Sequence, residues 1–291
     1  MDSFLSLKPK MEIILNIDSD HLDYFKDIDH IVSSFDHFAH LVPRSGTIIA
    51  YDANPFVNRV IQGLDNVITF GLNENCDYRA SDIRFNENGM PSFDVSHKGK
   101  FLERVQLSVP GEHNILNALA AFTCGHSLGV DPAVIKDTLE SYHGTQRRFD
   151  IIGVTSKGVK IVDDYAHHPT EIKATLAASQ NVPHNQLWCL FQPHTYTRTL
   201  ALFDDFADAF EKTDKLILTE IYAAREKNIY KISSAQLAEK IKETHPDKEV
   251  LFIKDFEEMA DYVSENAQKG DMVITMGAGD IYKVGEMLLE K

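Results

Sequence analysis

Two rhythms of apolar positions take turns along this chain. Short unbroken apolar runs read as buried strands, and stretches in which apolar residues return every three or four positions read as amphipathic helices. The run at 12–18 (EIILNID) predicts the first strand. A helix is predicted over 28–42, a strand over 47–51, a helix over 55–64 and a strand over 67–72. The stretch 78–109 breaks the rhythm, with turn residues gathered at Asn86-Glu87-Asn88-Gly89 and His97-Lys98-Gly99-Lys100. Two or three antiparallel strands joined by hairpins fit it. Helices over 114–128 and 132–142 follow.

Residues 144–149 (GTQRRF) read as a hinge, after which the alternation restarts. Strands are predicted over 158–163, 187–192, 215–221, 249–253 and 272–276. The helices between them carry apolar stripes: Phe203, Phe206, Ala207 and Phe210 share one face, and so do Phe256, Met259, Ala260 and Val263. The expected class is α/β with largely parallel sheets, in two domains, 1–145 and 146–291. No internal repeat or low-complexity tract is present.

Composition narrows the picture. The 291 residues are 43% hydrophobic and 25% charged, ordinary for a soluble globular protein with buried cores. A formal net charge of −15 argues against a nucleic-acid coat or a membrane-surface binder. It does not exclude an anionic substrate, because helix N-termini and local cations can oppose the global charge. Cys76, Cys124 and Cys189 lie far apart and form no C-x-x-C pair, which points to a reducing compartment and to packing roles for Cys124 and Cys189. Lys8, Lys10, Glu12 and Asp18 interrupt the N-terminal region, so no signal-peptide core is expected. No apolar run approaches the ~20 residues that span a bilayer, and a cytoplasmic location is expected.

In open α/β sheets ligands bind beyond the carboxyl ends of the strands, and polar chemistry collects there. Asp163-Asp164-Tyr165-Ala166-His167-His168-Pro169 follows one strand, and Gln192-Pro193-His194-Thr195-Tyr196-Thr197-Arg198 the next. Thr219 to Lys227 and Thr275 to Asp280 end two more. In the first half, 16–23 holds Asp18, Asp20, His21 and Asp23, a set that could ligate Mg²⁺ or equally form an Asx-rich turn. Asn114 and Asn117 open a helix after Pro110-Gly111, where capping competes with a ligand-facing role. His30, His37 and His40 read as surface or packed residues, and His97, His126, His143, His184 and His245 have no supporting neighbours in sequence. Tyr24, Phe25, Phe35 and Phe38 read as core.

NIDSDHLDYF, PGEHNILNALAA, GTQRRF, DDYAHHPTEI, FQPHTYTRT, EIYAAREK and GAGDI occur in that order along nearly the whole chain. Together they resemble the Mur ligase family, and the two longest C-terminal motifs resemble its alanine-adding branch more than its murein-tripeptide-recycling branch. The resemblance implies a P-loop-ATPase-like central domain followed by a Rossmann-like C-terminal domain, preceded in the family by a domain for a UDP-sugar. It implies ATP and Mg²⁺ as cofactors, UDP-N-acetylmuramate and L-alanine as partners, and amide-bond formation through an acyl phosphate in peptidoglycan precursor synthesis. No G-x-x-x-x-G-K-[ST] stretch occurs. The central domain is therefore expected to be cut after its phosphate loop, and this chain alone to release no phosphate in response to alanine. Two other readings stand beside the alanine-adding one: a tripeptide-recycling ligase, and a fragment that binds without turnover. A sheet missing strands exposes an edge, which a homodimer could cover.

By motif, His21 resembles the family's Mg²⁺ ligand, Asn114 and Asn117 the pair near the adenine, and Arg148 the arginine reaching the terminal phosphates. Asp164 resembles the ribose-contacting aspartate. Tyr165, His167, His194 and Arg198 resemble the group around the alanine carboxylate and the reacting centre. Some relatives carry arginine where Thr195 stands, which leaves Arg198 as the main guanidinium of that motif. Closure about the hinge near Gly144 would shield the acyl phosphate from water.

Overall fold

The computed structural model describes residues 2–21 and 24–291, and Asp23 of the acidic turn lies outside them. The chain divides into two compact units, one of residues 1–86 with 90–143 and the other of 144–291 with 87–89.

The first unit is a six-stranded sheet. Its strands are β1 (Met11–Ile14), β2 (Thr47–Tyr51), β3 (Val67–Gly71), β4 (Tyr78–Phe85), β5 (Pro91–His97) and β6 (Lys100–Gln106), paired in that order. The pairing is parallel from β1 to β4 and antiparallel from β4 to β6. The turn-rich stretch thus forms two hairpins, as its Gly-containing tetrads predict. Helices α1 (Ile28–Ala39) and α2 (Pro55–Ile61) pack Ile31, Val32, Val57 and Val60 on one face of the sheet with Ile14 and Ile48. On the other face α3 (Glu112–Ser127) and α4 (Pro132–Glu140) bury Ile115, Leu119, Phe122 and Ile135 against Phe70, Phe93 and Val95.

The first strand is shorter than 12–18. It ends at Ile14, and from Asp18 the backbone turns: Asp20 N–H donates to Asp18 O at 3.0 Å and Ser19 N–H to the Asp18 carboxylate at 2.8 Å. Helix α3 begins at Glu112, two residues before the predicted start, with Gly111 at φ 100° as N-cap. Asn114 therefore sits in the first turn and Asn117 in the second. Phe25 is buried, but Tyr24 is 42% exposed, so the aromatic set is only partly core. His97 and His126 do have neighbours. Tyr78 Oη lies 2.6 Å from His126 Nδ1, and its ring stacks on His97 with centroids 4.3 Å apart.

The second unit is also a six-stranded sheet, with strands β7 (Asp150–Val154), β8 (Lys160–Asp164), β9 (Leu187–Phe191), β10 (Lys215–Leu218), β11 (Glu249–Phe252) and β12 (Met272–Met276). Their order is β11-β10-β9-β12-β8-β7, parallel except for the antiparallel β7. Helices α5 (Pro169–Ser179), α6 (Tyr196–Ala201), α7 (Phe203–Ala207) and α8 (Ser234–Thr244) follow β8, β9 and β10. Ile172, Leu176, Phe206, Phe210, Leu237 and Ile241 from this group of segments cover one face. On the other, α9 (Phe256–Asn266) and α10 (Tyr282–Glu290) bury Met259, Ala260, Val263, Val284 and Leu288.

The stripe starting at Phe203 packs into the core as its spacing predicts, but its helix is short, ending at Ala207 before Phe210. Leu202, at φ −114° and ψ 28°, separates α6 from α7. The chain moves outward from β9 to β10 to β11, then returns so that β12 slots between β9 and β8. This reversal makes the carboxyl ends of β8, β12 and β9 the crevice where an open α/β sheet binds its ligand.

Candidate active site at the carboxyl edge of the second sheet

Each strand at the reversal ends in residues that fix the others. Asp163, the penultimate residue of β8, accepts Arg147 Nε at 2.8 Å and Thr275 Oγ1 of β12 at 2.8 Å. Arg147 also donates to Gly277 O at 2.8 Å, and its guanidinium lies 5.0 Å from the Tyr165 ring centroid and 4.8 Å from that of Tyr282. It is therefore a bracket within this unit, held at φ +61°. Its neighbour Arg148 has the opposite disposition. Its side chain is 52% exposed, lies 5.6 Å from the Tyr165 ring and pairs with Glu171 at 3.3 Å.

Asp164 faces inward. It is 4% exposed, and its two oxygens accept Phe149 N–H and Ala166 N–H at 2.8 and 2.7 Å. Burial raises its pKa above the usual carboxylate value, against the pull of those two hydrogen bonds.

The two adjacent histidines that follow have different duties. His168 caps α5, its Nδ1 accepting Thr170 N–H at 3.3 Å, in a capping box with Glu171. His167 turns to the site. Its Nδ1 lies 2.9 Å from Tyr165 O and 3.3 Å from a Glu171 oxygen. Those acceptors place the proton on Nδ1 and make Nε2 the basic nitrogen. Glu171 is held below the usual carboxylate range. Burial pushes it up, but the His167 N–H bond and the charges of His167 and Arg148 outweigh burial.

His194, after β9, brings its ring to 5.7 Å from that of His167, edge to face, and lies flat against Tyr222 at 5.5 Å and 11°. Arg198, one turn on, donates from Nη1 to His194 O at 3.0 Å and approaches His194 Nδ1 at 3.2 Å. Burial lowers the His194 pKa, and His167 and Arg198 nearby lower it further. The imidazole is thus neutral at neutral pH, with Nδ1 as the acceptor.

Gly277 and Gly279 close the rim. A Cβ on Gly277, at φ +146°, would come within 2.7 Å of Gln192 O, and one on Gly279 within 2.8 Å of Tyr222 Cγ. Gln192 Oε1 accepts Asp280 N–H at 2.7 Å and Ile281 N–H at 3.2 Å, stapling β9 to the loop after β12.

Of the residues singled out by sequence, the fold brings Tyr165, His167, His194, Arg198, Asp164 and Arg148 to one edge of the second unit. His21, Asn114 and Asn117 belong to the first unit. There His21 is 68% exposed at φ +54°, its Nε2 3.7 Å from Asp20 Oδ2. Asn117 Nδ2 donates to Asn114 Oδ1 at 3.2 Å, and Asn114 Nδ2 to Pro110 O at 2.7 Å. Among the described residues no group of three His, Cys, Asp or Glu is arranged to hold a metal ion. Arg147, Glu171, Tyr222, Gln192 and Glu226 stood in the motifs without an assigned part. Only Glu171 carried a readable signal, its spacing from His168 in a capping box.

Two family models match, the Mur ligase middle domain over residues 2–125 and the Mur ligase glutamate ligase domain over 147–279. The chain belongs to the Mur ligase family. A UDP-N-acetylmuramate–L-alanine ligase of Caldanaerobacter subterraneus is 50% identical over 291 residues, covering 100% of this chain and 63% of that Mur ligase. One from Acetivibrio thermocellus is 49% identical over 292 residues, covering 100% of this chain and 62% of the relative. The chain therefore spans less than two thirds of the length of these relatives. A solved UDP-N-acetylmuramate–alanine ligase of Thermotoga maritima superposes with a TM-score of 0.78 at 26% identity, over 99% of this chain and 61% of that one. The murein peptide ligase of Psychrobacter arcticus, at TM-score 0.68 and 22% identity over 99% of this chain and 58% of that one, shares the Mur ligase fold. Among the described residues no helix is long and apolar enough to cross a membrane.

Proposed function

We propose that this chain supplies part of the middle domain (1–145) and the C-terminal domain (146–291) of a cytoplasmic ATP-dependent ligase that joins L-alanine to UDP-N-acetylmuramate. The observation that carries the reading is the convergence of Arg198, His194 and His167 at the sheet's reversal. A guanidinium matches an amino-acid carboxylate bidentately. An imidazole beside it can take the proton that an ammonium must lose before its nitrogen attacks an acyl phosphate.

In this reading the labour divides between the two imidazoles. His194 Nδ1 faces the Arg198 guanidinium, so His194 orients the clamp. His167, with its proton on Nδ1, offers Nε2 as the base. Tyr165 lends its ring as a floor under Arg148, whose exposed guanidinium suits terminal phosphates. Asp164, with both oxygens engaged, serves the site by fixing Phe149 and Ala166, and with them the backbone on either side of Arg148 and Tyr165. In a family reading it would also meet the ribose. Asn114 and Asn117 offer paired amides to the adenine.

The residues described around His21 fit a metal carried in on phosphate and do not fit one caged by protein. His21 is an exposed imidazole with the Asp20 carboxylate 3.7 Å from its Nε2, and Mg²⁺ keeps most of its waters and takes its other ligands from phosphates. Bound with ATP there, the ion would offset the charge of two anions meeting.

The test uses a protein of the relatives' full length that carries this chain. With ATP and UDP-N-acetylmuramate it should incorporate labelled L-alanine, and a muropeptide tripeptide should compete poorly. Preferential use of the tripeptide would move the protein to the recycling branch, and no alanine-dependent product would refute the ligase reading.

A further inference from the structure

The loop after β10 brackets the turn that carries His194 and Arg198, and its Glu226 has no part in the mechanism above. At one end Tyr222 N–H donates to Pro193 O at 2.8 Å, and its ring lies flat on His194. At the other end Glu226 reaches across. Its carboxylate accepts Thr195 Oγ1 at 2.8 Å, Thr197 N–H at 2.9 Å and Thr197 Oγ1. The loop itself is tight, with Glu226 N–H on Ala223 O at 2.9 Å and Ala224 at φ +51°. Three donors from Thr195 and Thr197 of one turn thus converge on one side chain from another strand's end. The two residues flanking those positions are His194 and Arg198, and they are bonded to each other.

We propose that Glu226 is a positioning residue: its carboxylate fixes the Thr195–Thr197 turn and thereby sets His194 and Arg198 to receive an amino-acid carboxylate. Two hydroxyls and a backbone N–H that would otherwise take alternative rotamers and turn conformations are held by an acceptor-only group. Glu226 stays ionised at neutral pH. Burial raises its pKa, but the bonds from Thr197 and Thr195 outweigh that and hold it below the usual carboxylate range. The amide of Gln would keep one accepting oxygen but present N–H to a donor. It matches the shape of Glu226 and fails its chemistry.

The ligand part of this proposal rests on the reading of Arg198 as the carboxylate clamp, so the experiment separates the two. In the isotope-labelled chain, Glu226→Gln, Glu226→Asp and Arg198→Lys are compared with the parent by NMR, with thermal melting to confirm the fold. Without ligand, Glu226→Gln should shift the His194 ring and Arg198 Nε–H signals, and Glu226→Asp should restore them in part. With L-alanine titrated in, Glu226→Gln should weaken binding about tenfold, the order expected from losing hydrogen bonds to a charged group. Unmoved His194 and Arg198 signals in Glu226→Gln overturn the positioning role whether or not alanine binds. Alanine affinity unchanged by Arg198→Lys sinks the clamp reading instead, leaving the ligand-free signals to decide for Glu226. Should Glu226→Gln melt early, Thr197→Val, which removes one donor of the three, must shift the same signals in the same direction.

Discussion

Adjacent residues at the second sheet's edge divide structural work from ligand-facing work, and backbone geometry decides which does which. Arg147, at φ +61°, turns inward between Tyr165 and Tyr282, while Arg148 points out. His168 caps a helix and His167 faces His194. The sequence shows both pairs but not their partition, because two neighbours of one type differ only in dihedral and partner. The assigned roles have consequences. His167→Gln should lower kcat about 100-fold with a small change in alanine KM, the range for loss of a general base; steady-state kinetics read this, and a rise in KM alone would move the base elsewhere. His194, half-buried beside Arg198 and His167, should titrate by ¹⁵N NMR with a midpoint below the ordinary histidine value of 6.5, and a midpoint above it would contradict its place beside Arg198.

At the scale of elements, long apolar runs and helical stripes were legible because buried strands and core-facing helices need them. Strand β7 was not, since it is an antiparallel edge whose Ile151 and Val154 are 43% and 60% exposed and carry little core signal. The break between α6 and α7 was hidden too, because Leu202 at the break is itself buried in the same cluster as Phe206, Ala207 and Phe210, so the apolar pattern does not mark it. The Tyr78–His97–His126 cluster could not be seen, since two hairpin strands and a helix end bring together residues far apart in sequence.

Strand β1 carries a burden of its own. Glu12 is 3% exposed, neither carboxylate oxygen has a partner among the described residues, and burial raises its pKa from an ordinary 4.5 to about 7. An acid whose folded pKa is raised binds its proton more tightly when folded. The penalty is therefore absent below about pH 4, grows as pH rises through that interval and is complete above about pH 7. Glu12→Gln should stabilise the chain by about 2 kcal/mol near pH 8 and by little near pH 4. Denaturant melts at the two pH values check this, and a pH-independent gain would place the Glu12 side chain in water.

On the scale of the whole molecule, the alternation of strands and helices, the two-sheet organisation and the order of motifs were all readable, because parallel sheets with helices on both faces write apolar strands and striped helices into sequence in turn. Which sheet edge gathers the chemistry follows from the strand order, and that depends on β12 slotting between β9 and β8, a long-range event no local pattern records. Net charge was a poor guide. A chain of −15 overall places Arg147, Arg148 and Arg198 around one strand-end cluster, where local cations suit anionic substrates.

The most direct test of the site is steady-state kinetics of Arg198→Ala in a ligase of the relatives' full length, with L-alanine and ATP varied separately. Loss of a charge-assisted carboxylate partner should raise the alanine KM about 100-fold and leave the ATP KM nearly unchanged. Equal increases for both substrates, or none for alanine, would contradict the placement of the amino-acid carboxylate at the carboxyl edge of β9.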